Sequence, residues 1–263
     1  MKQYIVDAFA EELFTGNPAA VLPCKKMPTP ELMLKIAIEN NYSETAFVVK
    51  KSKGQYDLKW FTPGGEIDLC GHATLATAFV VFNFVDKDVE EMHFHTLSGE
   101  LIVKKDEKGF TMDFPVGKSK PIALNESILL ASNQMAKEAY FDGGDMVVIV
   151  SREEEVKKFN PDFELIKKVD GLGFILTAKS EDKKYDFVSR CFYPKASVPE
   201  DPVTGRANTY LIPIWIEKLG KRILTAKQVS QRGGDLIVQQ KGDRVFITGN
   251  AQLFMEGNIP FDL

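Results

Sequence analysis

The hydrophobic and polar positions of the N-terminal part of the chain predict short strands around two helices. Apolar runs are separated by glycine or proline turns, among them Gly16-Asn17-Pro18. Residues 30–40 show the apolar spacing of a helix with one buried stripe, whereas 71–85 is apolar on nearly every face. A helix of the second kind is expected at the centre of a domain. The strands are predicted at 3–9, 19–23, 45–49, 56–61, 91–96, 100–105 and 109–114.

The same order of elements is predicted again beyond 115–121, which we interpret as a linker. The helices of this part are predicted near 125–137, 161–168 and 205–219. Pro213 should bend the last helix, and Gly220 should cap its end. The strands are predicted at 173–176, 185–192, 235–239 and 244–248.

One short motif precedes each of the two apolar helices. It consists of Phe-x-Pro, then an aspartate, and shortly afterwards Gly-x-Ala at the helix start. The copies are Phe61-Thr62-Pro63 with Asp68-Leu69-Cys70-Gly71-His72-Ala73-Thr74, and Phe192-Tyr193-Pro194 with Asp201-Pro202-Val203-Thr204-Gly205-Arg206-Ala207-Asn208. A second pair of matching segments, Ser98-Gly99-Glu100-Leu101 and Gly233-Gly234-Asp235-Leu236, follows at similar spacing. The repeat predicts a duplicated domain.

The predicted fold class is therefore α/β (α+β), with two pseudo-repeated halves. Each half is expected to be a mostly antiparallel sheet wrapped around its central helix. We place the first half at 1–116 and the second at 117–250, and we expect 251–263 to pack back on the first half.

The two glycine-led helix starts are candidate anion-binding sites. A helix start has unpaired backbone N–H groups and partial positive charge, and glycine lets a ligand approach the backbone. Gly71 with Ala73, and Gly205 with Ala207, can therefore bind a carboxylate or a developing oxyanion. The alternative is that both glycines only allow tight packing where a strand turns into a helix.

Three further residues can carry acid–base chemistry. His72 lies in the first turn of its helix and is a candidate acid, base or substrate donor, unless it is a capping or core histidine. Asp201 sits in a rigid turn before Pro202 and could orient a partner such as His72, or only bond its own backbone. Glu44, next to Ser43, could have its pKa raised by desolvation at the mouth of a strand, which suits a general acid or base. Exposed glutamates are the usual case at such edges.

Composition excludes several other classes of function. The chain has 263 residues, 44% of them hydrophobic and 27% charged, and a net charge of −4, which fits an ordinary soluble globular protein rather than a nucleic-acid-binding protein. No signal peptide or membrane span is predicted. The three cysteines, Cys24, Cys70 and Cys191, predict reduced thiols and a cytoplasmic protein. No metal-ligand spacing is present, so no metal is expected.

Several segments identify the chain as similar to the PhzF-like (phenazine biosynthesis-like) isomerases, in the wider fold group of diaminopimelate epimerase and proline racemase. The matching segments are Asp7-Ala8-Phe9, Gly16-Asn17-Pro18-Ala19, Ser43-Glu44-Thr45-Ala46-Phe47, Leu69-Cys70-Gly71-His72-Ala73-Thr74, Glu200-Asp201-Pro202-Val203-Thr204-Gly205, Gln231-Arg232-Gly233-Gly234 and Gly249-Asn250-Ala251. They cover nearly the whole chain in order.

The resemblance implies a cofactor-independent isomerase with its site in a cleft between two similar halves, commonly a homodimer. Glu44 would move the proton of a small carboxylate substrate, and His72 and Asp201 would contact that substrate. Ser43 and the two helix starts complete the expected substrate-binding residues. No metal, organic cofactor, nucleic acid or membrane is expected as a partner.

Arg206 departs from the family pattern, which often has serine there in Gly-Ser-Ala-His. A long cation with five donors replaces a small hydroxyl, so Arg206 is expected either to bind a second carboxylate or to fill the pocket.

The sequence leaves two alternatives to the isomerase open. One is a one-cysteine epimerase that uses Cys70, although the second copy has Thr204 at this position. The other is a binding protein that kept the fold without catalysis.

Overall fold

The computed structural model describes residues 1–260 and divides into two compact units. The first unit contains residues 1–114 together with the segment from Ile247 onward, and the second contains Pro115–Phe246. Among residues 1–260, no helix is both long and apolar enough to cross a membrane.

Strands make up most of the first unit. They are β1 (Lys2–Ala8), β2 (Asn17–Cys24), β3 (Thr45–Ser52), β4 (Gln55–Thr62), β5 (Gly65–Ile67), β6 (Glu91–Thr96), β7 (Gly99–Asp106) and β8 (Gly109–Pro115). The helices are α1 (Pro30–Asn40) and α2 (Gly71–Val80), and a π-helix (Val81–Val85) continues α2. The predicted strands are confirmed, but β5 was missed. The prediction of one α-helix over 71–85 is wrong in its last turn, which is the π-helix.

The sheet of the first unit wraps around α2. Its strand pairs are antiparallel except for β2–β3 and β4–β6. Eight of the ten residues of α2 are buried, namely His72 to Ala78 and Val80, so the helix has almost no exposed face. The apolar sequence of this segment requires such burial, because exposing it would forfeit about 25 cal/mol for each Å² of apolar surface.

Nine strands follow, most of them in the second unit. They are β9 (Lys120–Ile122), β10 (Glu138–Phe141), β11 (Met146–Ile149), β12 (Phe174–Lys179), β13 (Phe187–Tyr193), β14 (Val198–Asp201), β15 (Ile223–Gln228), β16 (Gly234–Lys241) and β17 (Arg244–Gly249). The helices are α3 (Glu126–Ala131), α4 (Glu153–Lys157), α5 (Phe163–Ile166) and α6 (Gly205–Leu219), with a short 3₁₀ helix at Pro194–Ala196. One last strand, β18 (Ala251–Asn258), belongs to the first unit and pairs with β1.

Two sequence predictions near or in the second unit differ in part from the structure. The helix predicted over 125–137 ends at Ala131, because Asn133 and Gln134 take positive φ angles of 52° and 63° that a helix cannot accommodate. The linker predicted at 115–121 begins at the boundary between the two units, but its last two residues already belong to β9, which pairs with β10. The boundaries of α6 and its cap at Gly220 are confirmed, since Gly220 has φ 65° and its N–H donates to the carbonyl of Ile216.

The predicted repeat is present in the strand pairing of each unit. In the first unit β1–β2 is antiparallel, β2–β3 parallel and β3–β4 antiparallel, and β10–β11, β11–β12 and β12–β13 show the same order in the second. Even one backbone hydrogen bond recurs: Ala20 N–H donates to the carbonyl of Glu44 at 3.2 Å, and Met146 N–H to that of Gly173 at 2.8 Å. By this register Gly173 corresponds to Glu44.

Gly16 fixes the entry to β2 and provides a stability test. Its φ is +70°, and a Cβ there would lie 2.3 Å from the carbonyl oxygen of Ala8. We expect Gly16→Ala to lower the free energy of unfolding by about 2–4 kcal/mol, since the left-handed backbone alone costs about 1–2 kcal/mol and the contact adds to it. Gly220→Ala is the matched control, because its φ is +65° and nothing lies within 4 Å of the added Cβ. Equal losses in urea unfolding would contradict the expected steric contribution.

Candidate active site

Glu44 and His72 form a buried acid–histidine pair in the first unit. Glu44 directly precedes β3, and His72 is the second residue of α2. Glu44 Oε2 and His72 Nε2 are 2.9 Å apart, and the two side chains are 15% and 6% exposed. The contact is an ion pair by distance, and Glu44 Oε2 has no partner of full hydrogen-bond geometry among residues 1–260. A buried acceptor of this kind can take a proton or a donor from a ligand.

The two side chains of this pair shift each other's pKa. Burial by itself would raise the pKa of Glu44, but the charge of His72 and the polar neighbours outweigh it and hold this pKa below its usual value. The expectation of a raised pKa for Glu44 is therefore wrong, because it considered desolvation without the cation 2.9 Å away. Burial would likewise lower the pKa of His72, but Cys70 and Glu44 outweigh it and raise this pKa well above the ordinary range. Each member of the pair thus favours the charged form of the other.

Two polar side chains contact the His72 ring in addition to Glu44. Asn17 Nδ2 lies 3.1 Å from Nδ1, and Ser43 Oγ lies 3.5 Å from Nε2. A protonated Nδ1 donates, so in the charged state it needs the oxygen end of the Asn17 amide, which a half-turn of that amide presents. Asn17 was missed as a site residue and placed in a turn. Only Gly16 adopts turn geometry, and Asn17 is the first residue of β2.

Cys70 contacts the same ring but is a poor nucleophile. Its Sγ is 3.5 Å from His72 Nδ1. Burial raises the pKa of the Cys70 thiol, and the charge of Glu44 raises it further, so the thiolate that a nucleophile requires is disfavoured. Glu44, Cys70 and His72 also have ligand atoms within 4.8 Å of one another, as a metal site would need. In the present contacts Cys70 approaches Nδ1 of the ring and Glu44 approaches Nε2.

The start of α2 offers backbone donors beside this pair. The N–H of Thr74 is the first to bond to a carbonyl of the preceding turn, that of Cys70 at 3.2 Å. Gly71, His72 and Ala73 therefore have no carbonyl partner within the helix. Cys70 precedes the helix without a capping hydrogen bond from its side chain.

In the second unit the corresponding helix start is held by Asp201 and Gln228. Thr204 Oγ1 donates to Asp201 Oδ2 at 2.5 Å, and the buried Gln228 amide binds both Thr204 N–H, at 2.9 Å, and the Asp201 carbonyl, at 2.6 Å. Gly205 and Ala207 lie in the first turn of α6, as expected. Sequence reasoning missed Gln228, for which the sequence offered no signal.

Arg206 has an acidic partner within its own unit. Its Nε is 3.5 Å from Asp145 Oδ2, and one Nη lies 3.4 Å from the Tyr210 hydroxyl. The Arg206 side chain is 47% exposed and the Asp145 side chain 0%. The cation at this helix start is thus paired, as elementary electrostatics requires. Asp145 was also missed, although it follows the turn Gly143-Gly144.

The family described as PhzC-PhzF, phenazine biosynthesis-like protein, has a sequence profile that matches residues 6–257. The chain belongs to this PhzF family. An uncharacterized isomerase of Pseudomonas aeruginosa is 44% identical over 97% of the chain and 96% of its own length. The phenazine biosynthesis-like domain-containing protein of Bos taurus is 38% identical over 97% and 98%. The relatives that carry the name isomerase show the PhzF-family protein to be an isomerase as well.

Solved structures confirm the PhzF fold. The crystal structure of a PhzF-family protein from Enterococcus faecalis superimposes with a TM-score of 0.93 at 48% identity, covering 97% of each chain. More distant structures share the fold alone. They include a predicted epimerase from Pseudomonas aeruginosa, with a TM-score of 0.72 at 17% identity and 99% of each chain covered. The predicted epimerase-like fold class is therefore confirmed.

Proposed function

We propose that the protein is a cofactor-independent isomerase in which Glu44 moves a proton on a small carboxylate-bearing substrate. The observation that carries this proposal is the buried pair of Glu44 and His72, whose contacting atoms are 2.9 Å apart. Its support from the comparisons is coarser, since they establish an isomerase of the PhzF family without a substrate.

In the proposed reaction Glu44 is the base and then the acid. Its carboxylate takes a proton from a carbon next to an unsaturated or carbonyl group, and the electron pair moves into that group. The resulting glutamic acid returns the proton to another carbon, so the substrate is isomerised and the enzyme is restored. His72 as imidazolium and the N–H groups of Gly71 and Ala73 stabilise the developing negative charge. Ser43, Asp201, Gly205 and Ala207 are the further proposed substrate contacts.

Proteins of the same fold suggest probe molecules for the test. One is a hydroxyproline epimerase with bound trans-4-hydroxy-L-proline, and another is a methylitaconate-delta-isomerase. The protein is treated with EDTA and incubated in D₂O with trans-4-hydroxy-L-proline, methylitaconate or L-proline. A parallel incubation uses a deproteinised bacterial metabolite extract. We expect mass spectrometry to find deuterium in at least one carboxylic acid. Labelling that requires an added metal or cofactor would contradict the proposal, and so would equal labelling by wild type and Glu44→Gln.

The one-cysteine epimerase is the second candidate, because Cys70 Sγ contacts the His72 ring at 3.5 Å. The raised pKa of the Cys70 thiol argues against it. We therefore expect Cys70→Ala to keep most of the wild-type exchange rate, whereas a cysteine base would make this rate fall by about 10²–10⁴-fold. Cys24→Ala is the control for general effects of thiol removal. A large loss in Cys70→Ala alone, at unchanged melting temperature, would favour the epimerase.

A further inference from the structure

Arg206 occupies in the second unit the place that His72 occupies in the first. Each is the residue after the glycine that opens the central helix of its unit. The neighbours agree too, because Thr74 Oγ1 donates to the carbonyl of Cys70 and Asn208 Nδ2 to that of Thr204. Each unit thus has a cation in the first turn of its central helix.

Each cation also contacts a carboxylate from the start of a strand, but the two acids differ. Glu44 precedes β3, and the residue in its place in the second unit is Gly173. The acid in the second unit is Asp145, which precedes β11, the neighbouring strand. The glycine donates its N–H to Asp145 Oδ1 at 3.0 Å. The position that corresponds to Glu44 therefore carries no acid, and the neighbouring strand supplies one instead.

The pair in the second unit cannot transfer protons to a substrate. Asp145 has no exposed surface, and its Oδ2 accepts from the buried Tyr193 hydroxyl at 3.1 Å as well as facing Arg206. An arginine stays protonated, since its pKa lies above about 12. The pair therefore consists of a permanent cation, Arg206, and a buried carboxylate, Asp145, that holds it in place.

The free side of Arg206 is suited to a carboxylate. Asp145 contacts its Nε, and Tyr210 makes one contact of 3.4 Å with an Nη, so most of the five guanidinium N–H groups are left for a ligand. Gly144 packs closely against the Arg206 guanidinium group. A Cβ at position 144 would lie 2.6 Å from the Tyr210 hydroxyl and 3.4 Å from Arg206 Nη2. Close packing and a buried anchor reduce the entropy lost on binding.

We propose that Arg206 binds a second carboxylate of the substrate, and that Asp145 is the residue that positions it. This inference rests on the proposed function in one respect, namely that the ligand of Arg206 is part of the substrate. The substrate would then be a dicarboxylate rather than a monocarboxylate. One nearby group opposes it. Asp142 has a carboxylate oxygen that accepts the N–H of Gly144 at 2.9 Å, so it lies on the same side as the fork.

The test compares dicarboxylates with their monoamides, which keep the shape and lose one charge. Succinate, glutarate and adipate are titrated against succinamate, glutaramate and adipamate by calorimetry. We expect wild type to bind at least one dicarboxylate about tenfold or more tightly than its monoamide, as a charge-assisted bidentate contact would give. Arg206→Ser should bring this ratio close to one with the monoamide affinity unchanged. Arg222→Ser, which removes an exposed arginine of the same unit, should leave the ratio as in wild type.

A double variant separates binding from charge compensation. If Arg206 also neutralises Asp145, then Arg206→Ser lowers the melting temperature and Arg206→Ser/Asp145→Asn restores it. We expect the double variant to regain the wild-type melting temperature but not the preference for dicarboxylates. The proposal is overturned if wild type prefers no dicarboxylate to its monoamide, or if the preference survives Arg206→Ser. The titrations are repeated in Glu44→Gln, so that binding is measured without turnover. The deuterium experiment tests the proposed proton transfer separately, so either hypothesis can fail without the other.

Discussion

Glu44→Gln is expected to lower the rate of substrate proton exchange by about 10²–10⁴-fold, the usual contribution of a general acid–base group. Glutamine keeps the shape and the carbonyl acceptor but cannot take up a proton. The variant also removes one of the groups that raise the pKa of His72, the other being Cys70, so this pKa should fall. Binding of small carboxylates should change much less than turnover.

Solvent-deuterium uptake measured beside calorimetric binding checks this expectation. Glu39→Gln is the matched control, since Glu39 is an exposed glutamate of the same unit. It should exchange protons at the wild-type rate. Uptake at this rate in Glu44→Gln would rule out Glu44 as the base, whereas equal losses of binding and turnover would make it only a binding residue.

His72→Asn is expected to have the second largest effect, on both the rate and its pH dependence. In wild type, activity should rise with pH as Glu44 loses its proton, below the ordinary pKa of 4.5, and fall as His72 loses its proton, above 6.5. Without His72 the buried Glu44 keeps the desolvation that raises its pKa and loses the cation that lowers it. The acid limb should therefore move to higher pH, and the alkaline limb should disappear.

The rate at neutral pH should fall about 10²-fold or more, as expected when a charged donor near the reacting atoms is removed. His93→Asn is the control, because His93 pairs with Glu91 and Glu100 in the same unit. An unchanged alkaline limb in His72→Asn would assign that limb to another group.

The same pKa shifts predict when the ion pair stabilises the fold. Glu44 has a lowered pKa in the folded state, so its contribution is present above 4.5 and is lost as pH falls through the folded value. His72 has a raised pKa, so its contribution is present below 6.5 and is lost as pH rises through the folded value. The stability difference between wild type and His72→Asn should therefore be largest between pH 4.5 and 6.5.

Much of the fold could be predicted from the sequence, because its signals are local. The two apolar helices could be located because they lack a polar face, and the two copies of Gly-x-Ala marked where they begin. The short strands β10 and β11 were missed, since four residues are too few for an alternating pattern to emerge. Because β11 was not predicted, Asp145 was not recognised either. Its position at the start of that strand is what brings it into contact with Arg206.

The pairing inside the site was less predictable than its membership. Ser43, Glu44 and His72 were all assigned to one predicted site, at a strand start and a helix start. The contact between Glu44 and His72 was not predicted, since Asp201 was suggested as the partner of His72. The direction of the Glu44 pKa shift was not, because it depends on a distance of 2.9 Å between residues far apart in sequence. Asn17 could have been suspected only from its place after Gly16, at the entry to β2.

The strand β18 has a consequence for how the protein is made. It pairs along the whole of β1, from Lys2 with Asn258 to Ala8 with Ala251. Pro115–Phe246 is a contiguous stretch of the chain, whereas the first unit combines residues 1–114 with a segment that begins at Ile247. The first unit, which contains Glu44 and His72, therefore cannot complete its sheet until β18 has been synthesised. One edge of β1 stays open for most of translation, although Glu44 and His72 are translated early.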